Sequence, residues 1–152
     1  MQSRMKNVAT ILPAAMHALQ ALSKVSREVD LPPKTLGLVH LRASQINGCS
    51  VCLDMHPRMA KEIGETEQRM FTVAGWRDAP HFTEAERAAL ALTEAVTRLA
   101  DASDPVPDAV WTEAARHYDE RQLAGLLVAI VAINCWNRLN VATRQIAGAQ
   151  SW

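Results

Sequence analysis

Residues 120–146 constrain this chain more than any other stretch. Apolar side chains recur there at helical spacing: Leu123, Leu126, Leu127, Ile130, Val131, Ile133, Trp136 and Leu139. The pattern predicts one long helix, apolar over most of its surface, which must be covered by other helices or by a second subunit. Asn134, Asn137 and Asn140 share that helix at three-residue spacing. Buried amides need partners, so they are expected to bond to neighbouring helices. Cys135 reads as core.

The rest of the chain also falls into helices. Residues 14–29 carry Met16, Leu19, Leu22 and Val25, and stop before Leu31-Pro32-Pro33. Residues 34–46 are apolar on more than one side and are expected at the centre of the core. A third helix runs from about 49 to 63, with Gly64 as its stop and Pro57 inside it. Residues 66–74 give a short fourth helix. Thr83 and Glu86 form a capping box that opens a fifth, to about 101. Residues 108–117 form the sixth. No segment shows sustained strand alternation. The expectation is an all-α single domain over residues 1–152, with about six to seven helices.

Composition narrows the function classes. Hydrophobic residues make up 49% of the 152-residue chain and charged residues 21%, which argues against disorder. Sixteen basic and sixteen acidic side chains balance, so no footprint for nucleic acid or an anionic membrane surface is visible. No stretch is read as reaching the roughly 20 apolar residues of a membrane span. Three cysteines do not make a secreted disulfide framework, and a cytoplasmic setting is expected. Trp76, Trp111, Trp136 and Trp152 are read as packing groups, Trp152 disordered or docked on another subunit.

The chemistry concentrates in residues 42–56. Asn47-Gly48 marks a helix break, so the next helix starts near Cys49 or Ser50. Cys49, Cys52 and His56 then share one narrow stripe. Cys52 falls in the first turn, where free N–H groups favour a thiolate. A dithiol with a base one turn away suggests a redox site. Two alternatives compete: buried structural cysteines, and a zinc site made by Cys49, Cys52, His56 and His40.

On these residues the chain resembles the AhpD-like alkylhydroperoxidase branch of the carboxymuconolactone decarboxylase superfamily. The resemblance rests on the run from Leu41 through Asn47-Gly48-Cys49-Ser50-Val51-Cys52 to His56. It continues in Gly64-Glu65-Thr66-Glu67-Gln68-Arg69, in the stretch from Phe82 to Leu90, and in the stretch from Ile133 to Leu139. The resemblance implies an all-helical fold and a symmetric homo-oligomer, a trimer or hexamer. It also implies thiol-dependent reduction of hydroperoxides by a dithiol, in some members supplied by a lipoyl-bearing protein, with no cofactor or metal. By motif position Cys52 is the attacking thiol, Cys49 the resolving thiol and His56 the proton-handling partner. The family's relay glutamate, twelve residues before the first motif cysteine, is replaced here by Gly37. His40, nearly one turn further on, is the candidate substitute. A dithiol redox sensor or interaction protein that has lost the relay is the main alternative. Lactone decarboxylase chemistry is a third, against which the dithiol argues.

Overall fold

The computed structural model describes residues 1–149, so Trp152 lies outside the described residues. Among those residues every regular element is helical, and there are eight α-helices: α1 (Val8–Ile11), α2 (Pro13–Val25), α3 (Pro33–Asn47), α4 (Ser50–Glu62), α5 (Glu67–Thr72), α6 (Glu84–Thr97), α7 (Asp108–His117) and α8 (Glu120–Ala142). The expected six to seven helices undercounted by the single turn α1. Asn7 caps that turn by accepting from the Ala9 N–H, and Pro13 then restarts the chain as α2. Three expected ends also move inward. α2 stops at Val25, α6 at Thr97 and α8 at Ala142, each passing into a turn.

α3 and α8 form the centre of the molecule. α3 buries Leu36, Leu38, Val39, Leu41, Ala43 and Ser44, which spread around its axis as expected. One core cluster joins Leu36 and Val39 to Leu92 of α6 and to Leu126 and Ile130 of α8. A second joins Leu38 and Leu41 to Ala60 of α4, Met70, Trp76, Phe82 and Leu90. Full burial of side chains of this size stabilises by roughly 1.5–3 kcal/mol each. α8 buries two sorts of residue, apolar ones and the three asparagines. Gly125 lies so close to residues 29–31 that a Cβ there would stand 2.3 Å from Val29 Cγ2.

The sequence reading found no span-length apolar stretch, but α8 has the length and composition of one. It runs 23 residues, and its most apolar 18-residue window has a mean hydropathy of 1.4. Half of that window is buried inside the fold. Its asparagines pair with side chains of α3, α4 and α6, as suits a core helix.

Structural anchors lie outside the dithiol, one beyond the resemblance motifs at Glu94 and one within them at Glu65, Arg69 and Glu86. Glu94 of α6 is buried and accepts from Arg42 of α3 at 2.7 Å, from Trp76 Nε1 at 3.0 Å and from Arg77 at 2.8 Å. Arg69 bridges Glu65 and Glu86, and Glu86 also completes the Thr83 capping box. These two carboxylate centres fix α5 and α6 around the α3–α4 pair.

Candidate active site

The dithiol sits where α3 ends and α4 begins. Gly48 takes the left-handed conformation, φ 65°, that reverses the chain, and Cys49 N–H closes on the Ser44 carbonyl at 3.1 Å. Cys49 is the N-cap of α4, and its Sγ accepts the backbone N–H of Cys52 at 3.4 Å. The sulfur therefore does the work that a Ser50 hydroxyl would otherwise do. Both thiols are free and buried.

This geometry corrects one electrostatic expectation. The helix-start N–H that was to favour a thiolate on Cys52 points instead at Cys49. The Cys49 thiol is drawn down to about 6, first by the hydrogen bond from the Cys52 thiol and further by that backbone N–H, while burial opposes the fall. The same shared proton, then burial, pushes the Cys52 thiol up. The two sulfurs titrate as a pair, with the helix-start N–H favouring charge on Cys49.

Asparagines of α8 floor the pair. Asn140 Nδ2 donates to Cys52 Sγ at 3.7 Å. Asn137 Nδ2 donates to Ser44 Oγ at 3.1 Å, and Asn47 Nδ2 donates to Asn134 Oδ1 and Asn137 Oδ1, both at 2.9 Å. The interhelical role expected of these amides is the one they have. Their periodicity was visible, but not that Asn140 would reach a thiol.

His56 follows Cys52 by one turn on α4 and is 9% exposed. Its Nε2 is buried with no hydrogen-bond partner. His40 of α3 faces it, ring centroids 5.0 Å apart and planes tilted by 41°. Burial, then the Arg27 charge, lowers His56 to about 4. Burial, then His56 and Arg27, lowers His40 to about 3. Both imidazoles are therefore neutral near pH 7. Among the described residues no carboxylate hydrogen-bonds to either ring.

Two cavities meet the dithiol from different sides. One, of about 400 Å³, is lined by Cys52, His56, His40, Arg27, Trp136 and Asn140. The other, of about 720 Å³, touches Cys49 together with Gly48, Ser50, Asn140 and Arg144. So Cys52, His56 and His40 share a chamber, while Cys49 backs onto another. Arg27 gave no sequence signal, because only the packing of α2 against α8 brings it there. Among the described residues no three His, Cys, Asp or Glu side chains converge as metal ligands. The four-ligand zinc alternative is not assembled.

The carboxymuconolactone decarboxylase family model matches residues 13–95, which include α2 to α4 and the whole dithiol. The chain belongs to this family. YdfG, an uncharacterised protein of Bacillus subtilis, is 36% identical over 132 residues, covering 87% of this chain and 88% of its own. YnjA, an uncharacterised protein of Escherichia coli, is 34% identical over 113 residues, 74% of this chain and 60% of its own. Among solved structures, a protein of unknown function from Agrobacterium tumefaciens, linked to AhpD-type antioxidant defence, superposes with a TM-score of 0.90 at 35% identity. It covers 98% of this chain and 100% of its own. This member of the carboxymuconolactone decarboxylase family is thus of the AhpD-like kind. The debrominase Bmp8 shares the fold at a TM-score of 0.79 and 22% identity, over 90% of this chain and 73% of its own.

Proposed function

We propose that this family member is a thiol-dependent peroxidase in which Cys52 attacks, Cys49 resolves and His56 handles the proton. The observation that carries the reading is the sharing of one cavity by Cys52 Sγ and the two neutral histidines. Cys52 Sγ attacks the terminal oxygen of R–O–O–H; an S–O bond forms and the O–O bond breaks. The Cys52 proton passes to the Cys49 thiolate beside it, and His56 relays one proton from solvent to the departing alkoxide, which leaves as R–OH. Cys49 Sγ then attacks the sulfenic sulfur, and the hydroxyl leaves as water. Over the cycle the dithiol loses two electrons, and the peroxide becomes alcohol and water. An external dithiol, such as the dihydrolipoyl group of a carrier protein, returns two electrons and two protons by exchange.

His40, whose ring faces His56 at 5.0 Å, is the proposed substitute for the relay carboxylate of the family pattern. A homo-oligomer and a cytoplasmic setting complete the reading. The Cys49-x-x-Cys52 pair in an AhpD-like chain supports the redox part; the peroxide part rests on the cavity.

A second reading has its own support. With Gly37 at the glutamate position and His56 Nε2 unpartnered, the pair could oxidise reversibly without turning over, as a redox sensor. Peroxide consumption with excess dihydrolipoamide decides between them. Many equivalents consumed per subunit support the peroxidase; one equivalent, reversed by dithiol, supports the sensor.

A further inference from the structure

The chamber over Cys52 carries an unbalanced charge that peroxide cleavage does not itself require. Lys24, in the last turn of α2, and Arg27, just after it, both line it. Among the described residues no Asp or Glu lines it. Among the described residues neither cation has an ion pair or a side-chain hydrogen bond. The walls between this rim and the thiol are largely apolar, with Met16, Val51, Met55, Met59 and Ile133. At the inner end the buried Nε2 of His56 lacks a partner. A volume of about 400 Å³ suits a small organic ligand.

We propose that this chamber binds an amphipathic organic anion, and that the preferred peroxide is the hydroperoxide of an organic carboxylic acid. The carboxylate lies against Lys24 and Arg27, the carbon chain along the methionines, and the hydroperoxy end at Cys52 with His56 Nε2 bonded to one of its oxygens. An inorganic anion would leave the apolar walls uncovered. A neutral alkyl peroxide would leave both cations idle. The inference rests on the peroxidase reading for its reaction but not for its binding site, and the chemical step is unchanged.

Calorimetry on the reduced, full-length protein tests the site without turnover. Octanoate is expected to bind roughly tenfold more tightly than 1-octanol, as two rim charge pairs allow, and to weaken as salt rises. In the double variant Lys24→Gln with Arg27→Gln the preference should fall to about threefold or less, while Arg27→Lys alone retains most of it. Equal binding of acid and alcohol, or binding of neither, overturns the proposal. A kinetic arm compares a hydroperoxide of octanoic acid with that of its methyl ester, expecting a kcat/KM ratio of roughly ten that collapses in the double variant. If octanoate binds through the rim but neither hydroperoxide turns over, the anion site stands and the peroxidase reading fails. If both turn over equally and octanoate does not bind, the peroxidase reading stands and the anion site fails.

Discussion

The backbone N–H of Cys52 donates to Cys49 Sγ at 3.4 Å, so the N-cap of α4 is itself one of the two paired thiols. The helix start stabilises charge on Cys49, while the chamber with the histidines opens on Cys52. The two sulfurs are therefore inequivalent: the helix start favours charge on Cys49, while Cys52 lines the chamber. In the proposed cycle Cys49 is the base for its neighbour before it is the resolver.

That inequivalence sets the first prediction. Cys52→Ser should abolish peroxide consumption. Cys49→Ser should consume about one equivalent, more slowly than the parent because the proton acceptor is gone, and leave Cys52 as sulfenic or over-oxidised acid. Mass spectrometry of peroxide-treated protein locates the oxygen. Oxidation landing first on Cys49, with Cys52 intact, would reverse the assignment.

The amide of Asn140 gives the second. Its bond to Cys52 Sγ is worth most when that sulfur is charged. Asn140→Leu keeps the branched side-chain outline, with more bulk, and removes the donor. Turnover should fall roughly tenfold, about 1.4 kcal/mol of barrier. An unchanged rate in a folded variant would remove Asn140 from the mechanism.

Much of this arrangement was legible before the structure, wherever the signal was local. The Thr83–Glu86 capping box is a four-residue pattern and formed where expected. Cys52 and His56 lie one turn apart on α4 as their spacing predicts, while Cys49 stands just ahead of the helix as its N-cap. The Asp119–Gln122 box at the start of α8 is equally local, yet the apolar run beside it drew the reading. The Asn47-Gly48 break leaves the start of α4 open between Cys49 and Ser50; the left-handed turn at Gly48 makes Cys49 the N-cap. Arg27 was out of reach. Its effect on both histidines comes from tertiary packing, which no spacing along the chain encodes.

The histidine pair makes stability depend on pH. Folded-state values of about 3 for His40 and about 4 for His56 lie below the ordinary 6.5. As pH falls, the unfolded chain takes up these protons before the folded one does. The stability is complete above about pH 6.5 and is lost on acidification through the folded-state values. At about pH 5 the cost is on the order of 2 kcal/mol per histidine. Thermal melts from neutral to acid pH should show Tm falling across that window, and His56→Gln should flatten the fall. A Tm that holds to about pH 4.5 in the parent would contradict neutral burial of the pair.

Assembly is the fourth prediction. Val131 and Val141 of α8 are 46% and 44% exposed, and Ile11, Leu12 and Val25 also face outward. Apolar surface of this kind is commonly buried between copies of a chain. Light scattering at micromolar concentration should give a mass of at least twice the 16.7 kDa subunit. A stable monomer would refute it.

The last prediction concerns Gly37, where the family pattern has its relay glutamate. A Cβ built at Gly37 lies 3.9 Å from Ala60 Cβ, an ordinary contact, so a side chain can start there without displacing backbone. Ala60 follows His56 by one turn of α4, and His40 follows Gly37 by nearly one turn of α3. A glutamate at 37 thus begins beside the turn that carries His56 and can reach toward that ring. Gly37→Glu should supply the missing acceptor and raise peroxide turnover roughly tenfold, about 1.4 kcal/mol. The carboxylate should also lift the His56 pKa, so the acid-side loss of Tm should shrink in the same variant. Should the variant melt like the parent and turn over no faster, His40→Ala in the parent separates two explanations. Lost activity then means that His40 already serves the relay. No peroxide turnover in parent or variant means that the dithiol is a sensor, and the peroxidase reading is withdrawn.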